Sequence, residues 1–155
     1  MERKLFLHHF LNISKLLEDR IREDLDPMGI FHGQGKVLAE LYKNDGMTQI
    51  SIAKTLGISP ATVTNMVKRM ETGGLVKRYS DKHDDRVIRV HLTKEGNRSA
   101  EKVIEVWENI DSYIRTLMPE ADLESLNRIL ERIKFGLGGT TEEQEADYTE
   151  SVLSS

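Results

Sequence analysis

Between Leu5 and Leu25 the positions Leu5, His9, Ile13, Leu16, Leu17 and Ile21 recur near helical spacing, with Lys15, Glu18, Asp19 and Arg22 between them. This pattern predicts a long amphipathic helix. Asp26-Pro27-Met28-Gly29 stops it, because proline cannot continue the hydrogen-bond ladder and glycine relaxes the turn. A second helix is expected over about Gly33 to Asn44 with Val37, Leu38, Leu41 and Tyr42 on its apolar face, ended by Asn44-Asp45-Gly46. Two short helices follow. Thr48 is placed to cap Gln49 to Leu56, Gly57 breaks the chain, and Ser59-Pro60 opens a helix to about Thr72, ended by Gly73-Gly74. The period then changes from helical to alternating: Leu75 to Tyr79 and Val87 to Leu92 read as two strands around a polar loop, Ser80 to Arg86. Thr93-Lys94-Glu95-Gly96 starts a long helix whose face is Val103, Ile104, Trp107, Ile110, Ile114 and Leu117, stopped by Pro119. A last helix, near Glu120 to Phe135, carries Leu123, Leu126, Ile129, Leu130 and Ile133 at core spacing.

These elements define a mainly α fold with a small β-hairpin wing: a winged helix-turn-helix over about 34–98, within a single domain over 1–137. Gly136-Leu137-Gly138-Gly139 reads as a flexible exit. The segment from Thr140 to Ser155 holds five acidic residues and no basic ones, so a disordered acidic tail is expected over 138–155.

Charge sharpens this picture. The formal net charge of −4 argues against a nucleic-acid partner until its distribution is read. From Gln34 to Arg98 there are 12 Lys and Arg against 7 Asp and Glu, a local +5, while the remainder carries 10 against 19, or −9. A basic centre between acidic flanks fits one phosphate-facing module, since only the contacting surface needs positive potential. The chain has no cysteine, which removes disulfides and thiolate metal sites and fits a reducing compartment such as the cytoplasm. His8, His9, Asn12 and Lys15 interrupt the apolar start before it reaches signal-peptide length, and no run approaches a membrane span.

The order of elements and the residues themselves resemble the MarR family of transcriptional regulators over roughly Leu5 to Phe135. Met47-Thr48-Gln49 with Ile52 to Ser59, Val63 to Glu71, Gly74 to Arg78, Asp84-Asp85-Arg86, then Val90-His91-Leu92-Thr93 and Gly96 carry the resemblance. It implies a homodimer that binds double-stranded DNA and whose first and last helices (about 1–27 and 98–137) interleave in a dimerisation lobe. The first, fifth and sixth helices agree, holding more large apolar residues than one small core needs.

Within that frame the recognition helix buries Val63, Met66, Val67 and Met70 and turns Ala61, Thr62, Asn65, Lys68 and Arg69 outward. Asn65 pairs bidentately with adenine, Thr62 and Thr64 offer hydroxyls or a methyl to base edges, and Lys68 and Arg69 hold phosphates. Ser59 and Pro60, at a helix start with free N–H groups, suit a phosphate. At the wing, Arg86 is expected in the minor groove with Asp84 holding its guanidinium, and Lys77, Arg78 and Lys82 on the backbone. The alternative for each is an ordinary solvated face; for Asp84 and Arg86 it is a surface pair worth at most about 1 kcal/mol. The resemblance also implies a pocket for a small aromatic or lipophilic effector, with Phe10, Ile13, Leu17, Met28, Phe31, His32 and Trp107 as candidate lining, although an apolar helical stripe is more often plain core.

Rival readings are weaker. The five histidines tempt a metal-sensor reading, but His8 and His9 diverge by about 100° on a helix, and His32, His83 and His91 form no ligand spacing. No metal and no cofactor is expected. Gly29 to Lys36 looks like a phosphate loop, yet five residues separate Gly29 from Gly35 instead of four, Val37 replaces the magnesium-binding hydroxyl and no strand precedes it. With no catalytic constellation in view, an enzyme is not expected. A winged module that contacts proteins instead of DNA is the remaining alternative, favoured by the acidic average.

Overall fold

The computed structural model describes residues 5–139; the acidic segment from Thr140 and the first four residues lie outside them. The order is α1 (Phe6–Leu25), a 3-10 turn (Asp26–Met28), α2 (His32–Lys43), β1 (Met47–Thr48), α3 (Gln49–Leu56), α4 (Pro60–Thr72), β2 (Val76–Ser80), β3 (Ile88–Leu92), α5 (Lys94–Thr116) and α6 (Glu120–Gly136). The chain divides into two compact units, one up to Asn109 and one from Ile110 onward.

The first unit owes its core to the apolar faces read from the sequence. Val37, Leu38 and Leu41 of α2, Ile52 of α3, Val63, Val67 and Met70 of α4, Val76 of β2, Val90 of β3 and Val103 of α5 are all fully buried. Burying side chains of this size stabilises by roughly 1.5–3 kcal/mol each, which is why helices this short persist. Met66, expected in the same face, is only half-buried, with its Sδ and Cε lying over the backbone of Gly33 at the start of α2.

The expected hairpin is part of a larger sheet. Three antiparallel strands run in the order β1-β3-β2, with Met47 opposite Val90, Thr48 opposite Arg89, and Arg78 also opposite Val90 from the other side. Two residues are too few to show an alternating pattern, so β1 was not visible in the sequence. Thr48 ends this strand and caps α3, its Oγ1 accepting from the Ser51 N–H at 3.1 Å. Gly57 ends α3 at φ 64°, a left-handed conformation that glycine adopts without a Cβ clash. Thr93 closes the motif: its Oγ1 donates to the Gly74 carbonyl at 2.6 Å and accepts from the Gly96 N–H at 3.0 Å. A Cβ at Gly96 would lie 1.9 Å from the Leu75 carbonyl oxygen, so no larger residue fits at this crossing of α5 and the α4–β2 turn.

The chain ends contrast with this packed centre. In α1 only Leu25 is buried, while Leu5, Phe6, Leu7, Phe10, Leu11, Ile13 and Leu16 are exposed, Phe6 by 83%. In the second unit α6 buries no residue fully; Leu123, Leu126 and Ile133 are half-buried, whereas Tyr113, Leu117, Ile129, Leu130 and Phe135 are exposed. The core expected from α6 spacing is therefore not completed among the described residues.

Candidate nucleic-acid interface

The second helix of the turn, α4, is set at its start by Ser59, whose Oγ accepts from the Thr62 N–H at 3.1 Å, and by Pro60 at the first helical position. The Ser59 and Thr62 hydroxyls are 2.8 Å apart. With Val63, Val67 and Met70 buried, Ala61, Thr62, Asn65, Lys68 and Arg69 are left exposed, the outward stripe expected from the spacing. Asn65, Lys68, Arg69 and Thr72 line an open depression of about 500 Å³. Thr64 is exposed, and its hydroxyl lies 2.8 Å from Gln49 Oε1 and 2.9 Å from the Pro60 carbonyl. That proton is taken up in joining α4 to α3.

Two wing residues also differ from expectation. The Arg78 guanidinium donates through Nε and one terminal nitrogen to Glu71 Oε2, at 2.9 and 2.6 Å, so two of its three nitrogens are engaged by α4. Arg78 in turn holds the Glu71 carboxyl below its ordinary value. Asp84 does not grip the Arg86 guanidinium; its Oδ1 accepts from the Arg86 backbone N–H at 2.9 Å, an Asx turn that shapes the tip. The Arg86 side chain is exposed and, with Lys68, Arg69, Lys77 and Lys82, has no ion-pair partner among the described residues.

The base of the wing is built by residues that spacing did not single out. Arg89 donates through Nε to Asp81 Oδ2 and through a terminal nitrogen to the Gly46 carbonyl at 3.0 Å. The Asp81 Oδ1 accepts from the His83 N–H at 2.8 Å. The Arg89 hydrogen bond, then that of His83, pull the Asp81 carboxyl from 3.8 down to about 2. Across β3, His91 Nδ1 lies 2.8 Å from Asp45 Oδ2, Asp45 Oδ1 accepts from the Leu92 N–H at 2.8 Å, and the His91 ring meets Tyr79 edge-on at 5.6 Å. Apart from the local Asp81–His83 turn, the hydrogen bonds of Arg89 and Asp45 join residues 8 to 47 positions apart, which no local pattern reveals.

The candidate effector residues do not form a closed pocket. Phe10, Ile13, Met28 and Phe31 are exposed and Leu17 is half-buried, while His32 opens α2. Trp107 is half-buried, and its indole Nε1 is buried with no hydrogen-bond partner among the described residues. Gly33 and Gly35 lie within α2, so the stretch that resembled a phosphate loop is helical from His32 onward. No group of three or more His, Asp or Glu able to hold a metal occurs among the described residues. No described helix is long and apolar enough to cross a membrane.

Two helices joined by a Gly57 turn, the second N-capped and packed against β2 of a three-stranded antiparallel sheet, define a winged helix-turn-helix domain. The family model described as the MarR family matches residues 31–88. The HTH-type transcriptional regulator YwoH of Bacillus subtilis (strain 168) is 33% identical over 97 residues, covering 63% of this chain and 70% of that protein. The HTH-type transcriptional repressor MdtR of the same organism is 32% identical over 88 residues, 57% of each chain. Among solved structures, the Staphylococcus aureus MepR-DNA complex aligns with a TM-score of 0.81 at 26% identity, over 86% of this chain and 99% of that one. The chain belongs to the MarR family.

Proposed function

We propose that this chain is a sequence-specific double-stranded DNA-binding transcriptional regulator, a repressor acting as a homodimer on pseudo-palindromic operators, and not an enzyme. The observation that carries this reading is the outward face of α4: Asn65 one turn before Lys68 and Arg69, neither cation with an ion pair among the described residues, on a capped helix whose opposite face is locked in the core. An amide beside free cations is what base readout together with phosphate anchoring requires. Arg86, Lys77 and Lys82 on the wing supply further free cations, and Arg86 is the residue assigned to the minor groove. MepR, the S. aureus relative, is solved bound to DNA, and MdtR is named a repressor. The exposed apolar faces of α1, the end of α5 and α6 supply the surface for a second copy, and 1–27 with 98–137 are the dimerisation segments. The cytoplasm is the compartment this function requires.

The test is binding of the purified chain to random-sequence duplexes across a salt series. Log affinity falls with log salt at about −0.9 per phosphate neutralised, and Arg86→Ala weakens binding. A winged module acting on proteins shows neither response.

A second reading, release by a small aromatic or lipophilic effector, is favoured by one observation. The Trp107 Nε1–H is buried without an acceptor, and an unmet buried donor costs roughly 1–3 kcal/mol that a ligand acceptor would recover. Trp107 is the single tryptophan of the chain, so its emission reports occupancy directly. A ligand that quenches it also lowers DNA affinity if the two sites are linked; quenching with unchanged DNA affinity refutes the linkage.

A further inference from the structure

Glu71 stands where an acid is least favourable. It is the single acidic residue of α4, it lies in the last turn, beside the negative end of the helix dipole, and it follows Lys68 and Arg69 on a helix otherwise suited to polyanions. What offsets this placement is Arg78, on the strand that leads into the wing, with two of its nitrogens on the one Glu71 oxygen at 2.9 and 2.6 Å. The alternation of β2 puts Arg78 on the same face as the buried Val76, the face packed toward α4, while Lys77 and Tyr79 take the other. Both partners keep about a third of their surface in solvent, so the guanidinium is reachable from outside and is held back by its carboxylate.

Resting on the DNA-binding reading above, we infer that Glu71 sets the strength of the sequence-independent part of DNA binding: by occupying Arg78 it withholds one cation from the phosphate backbone. Phosphate contacts are the same on every sequence, whereas discrimination is the ratio of specific to non-specific affinity. A free Arg78 would raise both by about the same factor, so Glu71 lowers affinity and its salt dependence while leaving the ratio in place. The paired Arg78 stands against Lys68, Arg69, Lys77, Lys82 and Arg86 of α4 and the wing, which have no ion-pair partner among the described residues. Positive charge where β2 meets α4 is therefore partly cancelled, as it is at the wing base, where Asp81 holds Arg89.

The experiment measures the salt slope of binding to one random-sequence duplex for the wild type, Glu71→Gln, Glu71→Gln/Arg78→Gln and Asp85→Asn, each first checked for an unchanged thermal midpoint. Asp85 is an acid of the wing loop with no partner among the described residues, so its variant removes the same charge without releasing a cation. Glu71→Gln is expected to steepen the slope by about 0.9 per protomer, about 1.8 for a dimer, which adds roughly a tenfold fall in affinity between 50 and 200 mM salt. The double variant is expected to lose this added steepness, and Asp85→Asn to show none of it. A slope for Glu71→Gln equal to that of the wild type, or matched by Asp85→Asn, overturns the inference while leaving DNA binding intact. A wild type that binds no duplex in dilute buffer overturns the DNA-binding reading itself. Should Glu71→Gln lower the thermal midpoint, Glu71→Arg/Arg78→Glu, which restores the pair with its charges exchanged, is expected to return both the midpoint and the wild-type slope; a slope that stays steep in that variant refutes the assignment.

Discussion

Arg86 and Asp84 divide the wing tip between them: one supplies charge, the other supplies shape. Because Asp84 holds the Arg86 backbone and not its guanidinium, Asp84→Ala is expected to weaken DNA binding even though it removes a negative charge, since the tip loses the turn that presents Arg86. Arg86→Ala is expected to cost about 1–3 kcal/mol in operator affinity. Tighter binding by Asp84→Ala in a titration would show that its charge outweighs its geometry. At the wing base, the depressed Asp81 carboxyl contributes stability that is fully present above its ordinary value of 3.8 and is lost as pH falls toward about 2. Protection of the β2 and β3 amides, measured relative to their intrinsic exchange rate at each pH, should therefore fall over that acid window in the wild type and stay flat in Asp81→Asn. At this scale the sequence displayed Asn65, Lys68 and Arg69, because one helix face can be read from a period of 3.6. It could not display that Arg78 belongs to Glu71, or Thr64 to Gln49, because those pairs join different elements across turns.

The elements were legible where their ends carry chemistry. Ser59-Pro60 and Thr48 marked helix starts through capping hydroxyls, and both caps are formed at 3.1 Å. Ser59→Ala is expected to cost about 1 kcal/mol in denaturant unfolding and to weaken DNA binding further, because the first turn of α4 is both the cap and the approach to the duplex. Met70→Ala, which empties a fully buried site under α4, is expected to cost about 2–5 kcal/mol. Gly96→Ala should be severely destabilising, since the added carbon would overlap the Leu75 carbonyl; a thermal midpoint within a degree or two of the wild type would contradict the close crossing seen there. Strand β1 was hidden because two residues carry no alternation, and its partner, β3, is reached only through tertiary contact.

For the whole molecule, the decisive feature is the uneven burial. The core residues at the centre of the chain are packed to near-zero exposure, whereas α1 and α6 carry large apolar residues that nothing among the described residues covers. The helical spacing announced apolar faces on all of them but could not say which faces one copy satisfies and which await another. Leu130→Glu is neutral for an isolated chain, where Leu130 is already 42% exposed, and damaging for a dimer that buries it, by roughly 1.5–3 kcal/mol per copy in lost apolar burial alone. Sedimentation should show this variant shifted to monomer, with operator binding lost and helix content kept. The most direct test of the whole reading is a hydroxyl-radical footprint on duplexes that the purified chain selects from a random library. Two protected half-sites related by a dyad, on the order of 10 base pairs apart, with flanking minor-groove protection that disappears in Arg86→Ala, are expected. Failure to enrich any sequence, or a single protected patch indifferent to Arg86, would contradict it.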